Sequence, residues 1–373
     1  MINLHLAHLN NLFKQTLDNR ERQRHNSDMK PPFGSTVKNL FNGYFAAVMA
    51  TGIVSIALLL AREKLFSLWF MDLSLLLYVI ISLLYFTRAI VYPGAVRRDL
   101  TDARTAFNYF TFVAGTDVVG TRLAFASQYV WATVLGIVGA VSWLILIYFV
   151  VMAVTVYNTR PEEQVVSGGW LIATVGAESV SVLAAVVAPQ WPAVSEAILF
   201  AAYLFWAVGI LLYLIFIAMI LHRFFYYPIK ASDLQPSYWI NMGAAAITTL
   251  AGSRLSADIS FAPFLATVDP FVEGITIMLW AWGTWWIPFL LLIGVWKYLI
   301  QRELFTYHPS LWSVVFPLGM YTVATNVFET VYRLPFLAAI PKFSLWVALA
   351  AWMIVAVAFL WQWSQRESVL STQ

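Results

Sequence analysis

The chain has 373 residues, of which 61% are apolar and only 11% are charged, and its mean hydropathy is +0.75. A soluble globular domain is close to half apolar and a quarter charged, so this composition excludes that class, and it equally excludes a disordered chain. Cysteine is absent, which excludes a disulfide framework, a thiolate metal site and an iron–sulfur cluster. The net charge of +3 is too small to argue for nucleic acid as a partner.

Ten apolar stretches are long enough to cross a bilayer, since a helix needs about 20 residues to span the hydrocarbon core. Their residues do not alternate as the strands of a transmembrane barrel do. The sequence therefore predicts an all-α integral membrane protein, with a polar cytoplasmic tail at 1–38, a ten-helix transmembrane domain at 39–364 and a cytoplasmic tail at 365–373. The predicted spans are 41–61, 69–92, 107–126, 129–153, 168–188, 195–221, 237–257, 271–298, 311–331 and 343–363.

Lys and Arg are distributed unequally between the two sides that ten spans define. Sixteen lie on the side of the N-terminus and six on the other side. Because basic loops stay in the cytoplasm, both termini are predicted to be cytoplasmic, in the inner membrane of a bacterium or otherwise the plasma membrane. Residues 1–38 contain no apolar core of a signal peptide.

The odd and even spans differ in kind and repeat as pairs. The odd spans are richer in Gly, Ala, Ser and Thr, whereas Trp is concentrated in the even spans. Each odd span begins with an aromatic residue followed by small residues, and these aromatics are Tyr44, Tyr109, Trp170, Trp239 and Trp312. The spacing predicts five tandem helical hairpins around a central pore, with small residues facing the pore and bulky ones the lipid. Tight packing of an ordinary helix bundle is the alternative explanation of the small residues.

Three motifs resemble the tellurite-resistance/dicarboxylate transporter family, to which slow anion channels, tellurite-resistance proteins and malate permeases belong. They are GYFAAVMATGIVS in the first span, FNYFTFVAGT in the third and WSVVFPLG in the ninth. The resemblance covers about residues 40–363. It implies a homotrimer in which each protomer has its own pore, lined by helices 1, 3, 5, 7 and 9, and it implies small anions as cargo.

The resemblance also implies a gate, because a Phe of the ninth helix plugs the pore in this family and Phe316 stands at the matching position. The following Pro317 removes a backbone donor and bends the helix, which can push residue 316 toward the pore, and Gly319 adds a second point of flexibility. The alternative is that Phe316 is an ordinary packed side chain beside a kink.

Charged residues inside predicted spans are expensive and invite an explanation. Glu178 lies in the middle of the fifth span without a basic residue at helical spacing, and Asp117 in the third span is similar. We expect Glu178 to be neutral or paired with another helix, so it is a candidate for proton coupling or, alternatively, a structural hydrogen-bonding group. Arg254 and Asp258 are spaced for an ion pair on one helix face, as are Glu329 and Arg333, and a positive rim at the pore mouth is the alternative.

Weak neutral donors on the odd spans suit conduction, because loosely bound anions can leave again. The candidate pore-lining residues are Thr51, Ser55, Thr116, Asn241, Thr248 and Thr322. All five His residues lie outside the spans, and no phosphate-cradling loop is present, so we expect neither an enzyme nor a cofactor. The predicted function is transport of small anions, dicarboxylates of the malate or succinate type or related inorganic anions. The alternatives are a proton-coupled dicarboxylate symporter using Glu178 and a membrane receptor or scaffold that transports nothing.

Overall fold

The structure is a computed structural model that describes residues 33–371. Most of the predicted N-terminal tail, residues 1–32, and the last two residues of the predicted C-terminal tail lie outside the described residues. The predicted domain boundaries at residues 38 and 364 therefore stay predictions.

Ten long helices follow one another along the described chain, which contains no β-strand. Short helices at Phe33–Lys38, Pro93–Thr101 and Glu162–Val165 lie before and between them. The long helices are α1 Phe45–Leu60, α2 Lys64–Val91, α3 Phe110–Phe125, α4 Tyr129–Tyr157, α5 Ile172–Val187, α6 Ser195–Tyr226, α7 Ile240–Ala257, α8 Pro263–Val295, α9 Trp312–Val331 and α10 Ala339–Ser371.

The chain divides into two units. The larger unit, residues 41–356, holds α1 to α9 and the beginning of α10. The smaller unit comprises residues 1–40 and 357–373, and its described part consists of the helix Phe33–Lys38 and the end of α10. All sites below belong to the larger unit.

Five helices of the larger unit, which we call the inner helices, form a closed ring of contacts in which each helix packs against two others. α1 contacts α3, α3 contacts α5, α5 contacts α7, α7 contacts α9, and α9 contacts α1 again. Nearly all of their residues are buried. Their high content of small residues permits this close approach, because helix axes can come together where side chains are short.

The other five helices, which we call the outer helices, pack against the inner helices. Each of α2, α4, α6 and α8 contacts the inner helix that precedes it in the chain. On α10, the Ser344 hydroxyl accepts a hydrogen bond of 2.9 Å from Thr322 of α9. The outer helices expose large apolar side chains such as Phe86, Tyr148 and Trp346, which are 70%, 75% and 67% exposed. An exterior of this kind is typical of a surface in contact with lipid.

Seven helical segments of the described residues are long and apolar enough to cross a membrane, whereas the sequence predicted ten. Two of the seven contain the inner helices α5 and α9, and the other five contain the outer helices. α1 is apolar but has only 16 residues, and α3 and α7 carry charged and hydroxyl residues. α1 is thus too short and α3 and α7 are too polar to be recognised as spans, and all three are buried among protein neighbours, where no lipid-compatible surface is needed. The membrane class is confirmed, and the crossing of all ten helices stays a prediction.

Candidate functional site

A small cavity lies between the five inner helices, and each of them contributes to its lining. Its volume is about 20 Å³, which is room for about one water molecule. The lining is mostly apolar, with four polar or charged exceptions: Asp117, Thr121, Ser179 and Arg254. We call this the central cavity; it is lined by Ile53 and Ile56 of α1, Asp117, Val118, Thr121 and Phe125 of α3, Ser179 and Val182 of α5, Ile247, Leu250 and Arg254 of α7, and Met320 and Val323 of α9.

A second cavity of about 60 Å³, which we call the vestibule, lies where the inner helices begin. Most of its lining residues are polar, and they come from the starts of all five inner helices: Phe41, Gly43, Arg104, Asn108, Thr111, Ser167, Gly169, Ile172, Gln235, Ser237, His308, Ser310 and Ser313. Each helix start carries a partial positive charge of about half an elementary charge, because the peptide dipoles of a helix add up along its axis. Five such ends around one cavity create a positive potential that favours an anion.

Two titratable side chains, Arg104 and His308, line the vestibule and determine its side-chain charge. Arg104 contributes a half-exposed guanidinium whose charge is partly offset by Asp102 at 3.3 Å. Burial lowers the pKa of His308 below its ordinary value, so His308 is neutral at pH 7. The Nδ1 atom of His308 accepts a hydrogen bond from the Ser310 backbone N–H at 3.2 Å. The positive potential of the vestibule at neutral pH therefore comes from the helix ends and Arg104.

The two cavities lie along the same face of the inner helices. Thr111 and Val118 of α3 are seven residues apart, and so are Ile172 and Ser179 of α5. Seven residues are about two helical turns, or about 10 Å along the axis. The first residue of each pair lines the vestibule and the second lines the central cavity, so one row of side chains on each helix leads from one cavity to the other.

Phe316 lies between the two cavities on α9. It follows Ser313 of the vestibule by three residues and precedes Met320 of the central cavity by four, which places it on the same helix face. Its side chain is 2% exposed and lines neither cavity. By the same helical spacing, the residues at its level on α1, α3 and α5 are Met49, Ala114 and Val175. Phe316 is the only aromatic side chain among these four.

The residues that follow Phe316 allow α9 to approach its neighbours closely. Pro317 lies inside α9 and leaves the carbonyl four residues earlier without its helical donor. It packs on Gly243 of α7, where an added Cβ would lie 2.8 Å from the Pro317 Cγ atom. At Gly319 an added Cβ would lie 2.7 Å from Ile53 of α1. Glycine at both contacts holds α9 against α7 and α1 at the level of Phe316.

The six predicted pore-lining side chains line neither the central cavity nor the vestibule. Four of them meet outer helices, as when Thr51 accepts a hydrogen bond from Trp352 at 3.1 Å or Ser55 donates one to the Ser67 carbonyl at 2.6 Å. The hydroxyls of Thr116 and Thr322 contact Tyr78 and Ser344 in the same way. Thr248 donates to a carbonyl of its own helix, and the Asn241 amide is buried without a partner among the described residues. Their pore-lining role stays a prediction.

Glu178 and Asp117 occupy equivalent positions of the repeat, each eight residues after the leading aromatic of its helix. Both side chains are fully buried. Asp117 accepts a hydrogen bond of 2.8 Å from Ser179 of the next inner helix and packs against Gly139 of α4. Glu178 packs against Gly209 of α6, and its two oxygens have no hydrogen-bond partner among the described residues. A lone buried carboxylate is costly, so this setting favours the neutral acid at Glu178.

Arg254 lines the central cavity at the end of α7. The ion pair that its spacing to Asp258 predicted does not form within 4.0 Å, because the guanidinium lies over the Phe125 ring, 5.5 Å from its centre. The second predicted pair, between Glu329 and Arg333, is also not formed among the described residues. Arg333 follows the end of α9 with a φ of 54°, which takes it off the helix face.

The polar residues of the vestibule were not predicted. A signal for them exists, since Asn108, Ser167, Ser237 and Ser310 each stand one to three residues before the leading aromatic of an inner helix. The shared feature is a polar side chain shortly before the leading aromatic of four of the five inner helices.

A buried ring of helices with cavities on its axis and an apolar exterior is the architecture of a membrane transport protein. The sequence profile of the voltage-dependent anion channel family matches residues 39–360, and the chain belongs to this family. The resemblance to the tellurite-resistance/dicarboxylate transporter family is thereby confirmed. Family membership points to a transporter or channel for anions rather than an enzyme.

The chain is similar to membrane proteins of distant organisms. It is 41% identical over 143 residues, which are 38% of this chain and 72% of the relative, to an uncharacterized membrane protein of Mycobacterium tuberculosis. It is 24% identical over 338 residues, 87% of this chain and 94% of the relative, to an uncharacterized transporter of Methanocaldococcus jannaschii. A second uncharacterized transporter of the same archaeon is also 24% identical, over 331 residues.

Proposed function

We propose that the protein passes small anions across the cell membrane along the axis enclosed by α1, α3, α5, α7 and α9. In this proposal all ten helices cross the membrane as five tandem hairpins, and both termini are cytoplasmic. The closed ring of inner helices, each followed along the chain by a longer helix packed on it, supports the hairpin arrangement. The three inner helices that are too short or polar to be recognised as spans cross inside this shell, where they need no lipid-compatible surface.

The observation that carries the proposal is the row of vestibule, Phe316 and central cavity along one face of the inner helices. The vestibule attracts anions through five helix starts and Arg104, and it contains many hydroxyl donors. The central cavity offers a mostly apolar passage with Arg254 as the one basic side chain in its lining.

Phe316 is the gate in this proposal. With its side chain packed between the cavities, a hydrated anion cannot pass, since the central cavity has room for only about one water molecule. Conduction requires the ring to turn away, and the bend at Pro317 gives the backbone beside it freedom to do so.

The cargo that we propose is a dicarboxylate of the malate or succinate type or a related inorganic anion, and the assembly is a homotrimer with one path in each protomer. The test is flux of chloride, nitrate, sulfite, succinate and malate into proteoliposomes that contain the purified protein. The proposal expects saturable flux of at least one of these anions, whereas a receptor or scaffold would show none above that of empty liposomes.

Proton coupling is a second candidate within transport, because two buried carboxyl groups occupy equivalent repeat positions beside the axis. A residue that carries a proton must contact the anion path, and it must be able to take up the proton and become neutral. Asp117 lines the central cavity, whereas Glu178, which the sequence favoured, is packed against α6. An imposed pH gradient should then drive uphill anion uptake, and Glu178→Gln and Asp117→Asn should each be tested for its loss. Flux that is indifferent to the gradient and to both substitutions would leave the carboxyl groups a structural role.

A further inference from the structure

The Arg254 guanidinium is an incompletely satisfied cation at the far end of the central cavity. Its Nε atom is buried and has no hydrogen-bond partner among the described residues, and none of the ion pairs within 4.0 Å includes it. Its contact is the face of Phe125, which also lines the cavity. Arg has five N–H donors, and leaving buried donors without acceptors costs free energy, so this arrangement has room for an acceptor from outside the protein.

The position along the helices explains why an anion path needs a cation here. At the vestibule the helix starts supply positive partial charges, but at the opposite end the inner helices present the negative ends of their dipoles, which repel an anion. Arg254 lies in the last turn of α7, and it is the only basic side chain in the lining of the central cavity. It therefore offsets the repulsion at the point where an anion leaves the cavity.

Two acidic groups adjoin this site and limit its strength. Asp258, one turn beyond Arg254, is its nearest carboxylate along the chain, and Asp117 lines the same cavity. The Asp117 side chain is engaged by Ser179 at 2.8 Å, on the side of α5, and neither acid reaches Arg254 within 4.0 Å. The guanidinium thus keeps its donors free of protein carboxylates.

We propose that Arg254 binds the permeating anion and selects carboxylates and other planar oxyanions over halides. A guanidinium presents two parallel N–H donors, a fork, that match the two oxygens of a carboxylate. A halide is attracted by the positive charge, but as a single atom it cannot form this pair of parallel hydrogen bonds. Phe125 contacts the guanidinium through its ring face, with the Arg254 Cζ atom 5.5 Å from the ring centre, and this contact favours one position of the side chain. This inference rests on the proposed transport function and names the class of anion that it favours.

The experiment compares succinate and chloride flux in proteoliposomes with the wild type, Arg254→Lys and Arg254→Gln. We expect Arg254→Gln to lower succinate flux about tenfold or more and chloride flux less. Arg254→Lys keeps the charge without the fork, so it should keep chloride flux and lose most of the preference for succinate. Arg333→Gln removes an exposed cation just beyond α9 and is the matched control, for which we expect the wild-type ratio.

A second measurement separates this inference from the proposed function. Succinate should raise the melting temperature of the detergent-purified wild type and of Arg333→Gln, but not that of Arg254→Gln, because a ligand stabilises only the protein that binds it. If the wild type carries no anion but succinate still stabilises it through Arg254, transport fails and the site stands. An unchanged succinate-to-chloride ratio in a folded Arg254→Gln protein, or equal stabilisation by succinate, would overturn the inference.

Discussion

Replacing Phe316 with Ala removes the side chain that, in the proposed gate, separates the vestibule from the central cavity. The phenyl ring is 2% exposed and thus fully packed. Truncating a buried side chain of this kind leaves a space on the order of 100 Å³ at this level of the axis. Such a space is room for several water molecules at roughly 30 Å³ each, enough to join the two cavities.

The expected increase in flux can be calculated from the free energy that packing of the Phe316 ring contributes to the closed state. Burying a Phe side chain contributes about 1.5–3 kcal/mol, and the gate must forfeit this contribution each time the ring turns out. Each 1.4 kcal/mol is about a tenfold change in an equilibrium, so the open fraction of the wild type is reduced roughly 10- to 100-fold. Phe316→Ala should therefore raise anion flux by about this factor.

The assay is initial anion flux into proteoliposomes at equal protein content. Phe328→Ala is the matched control, because Phe328 is a 1% exposed Phe of the same helix that stacks on Trp280 of α8, away from the axis. Both substitutions should lower thermal stability by a comparable amount, since both empty a packed site. Equal flux in wild type and Phe316→Ala, or an equal increase in Phe328→Ala, would refute the gate.

Three further predictions follow from packing and charge. Gly243→Val should lower the melting temperature and the flux, because its side chain would meet Pro317 at 2.8 Å or less, whereas Gly274→Val, with open space around it, should change neither. Burial raises the pKa of Asp258 from 3.8 to about 6, so this carboxylate, four residues after Arg254, becomes neutral as the pH falls from 7 to 5. Anion flux should rise several-fold over this range, and Asp258→Asn should abolish that rise in a pH titration. Arg88→Met should destabilise the protein by about 1–3 kcal/mol in thermal or denaturant unfolding, because it leaves the Asp99 carboxylate without the guanidinium now 2.7 Å away.

The all-helical class could be predicted from the sequence because it depends on a local pattern. The hairpin repeat and the gate at Phe316, which rest on local patterns too, stay predictions. Apolar length indicates a span, the spacing of leading aromatics indicates the repeat, and the order Phe316-Pro317 indicates a kink. These signals stay readable without knowledge of neighbouring helices. The same spacing also marks Asp117 and Glu178 as equivalent, although only the structure shows which one reaches the central cavity.

The lining of the axis could not be predicted in the same way. A hydroxyl on an inner helix can bond its own backbone or an outer helix, as those of Thr51 and Ser55 do, and neither outcome is encoded in the residue type. Hydrophobic periodicity gives no help, because an inner helix is buried on every side and shows no polar face. The ion pair expected between Arg254 and Asp258 failed for a related reason, since the ring of Phe125 on another helix competes for the guanidinium.

The most direct test of an anion path between the inner helices is cysteine accessibility, which the natural absence of cysteine makes clean. In a Phe316→Ala background, Met320→Cys places one thiol in the central cavity, and Tyr148→Cys places one on the exposed surface of α4. A negatively charged thiol reagent should block flux through Met320→Cys, and the transported anion should slow its reaction. Tyr148→Cys should conduct as before. Reaction at Met320→Cys that leaves flux intact would contradict a path between these helices.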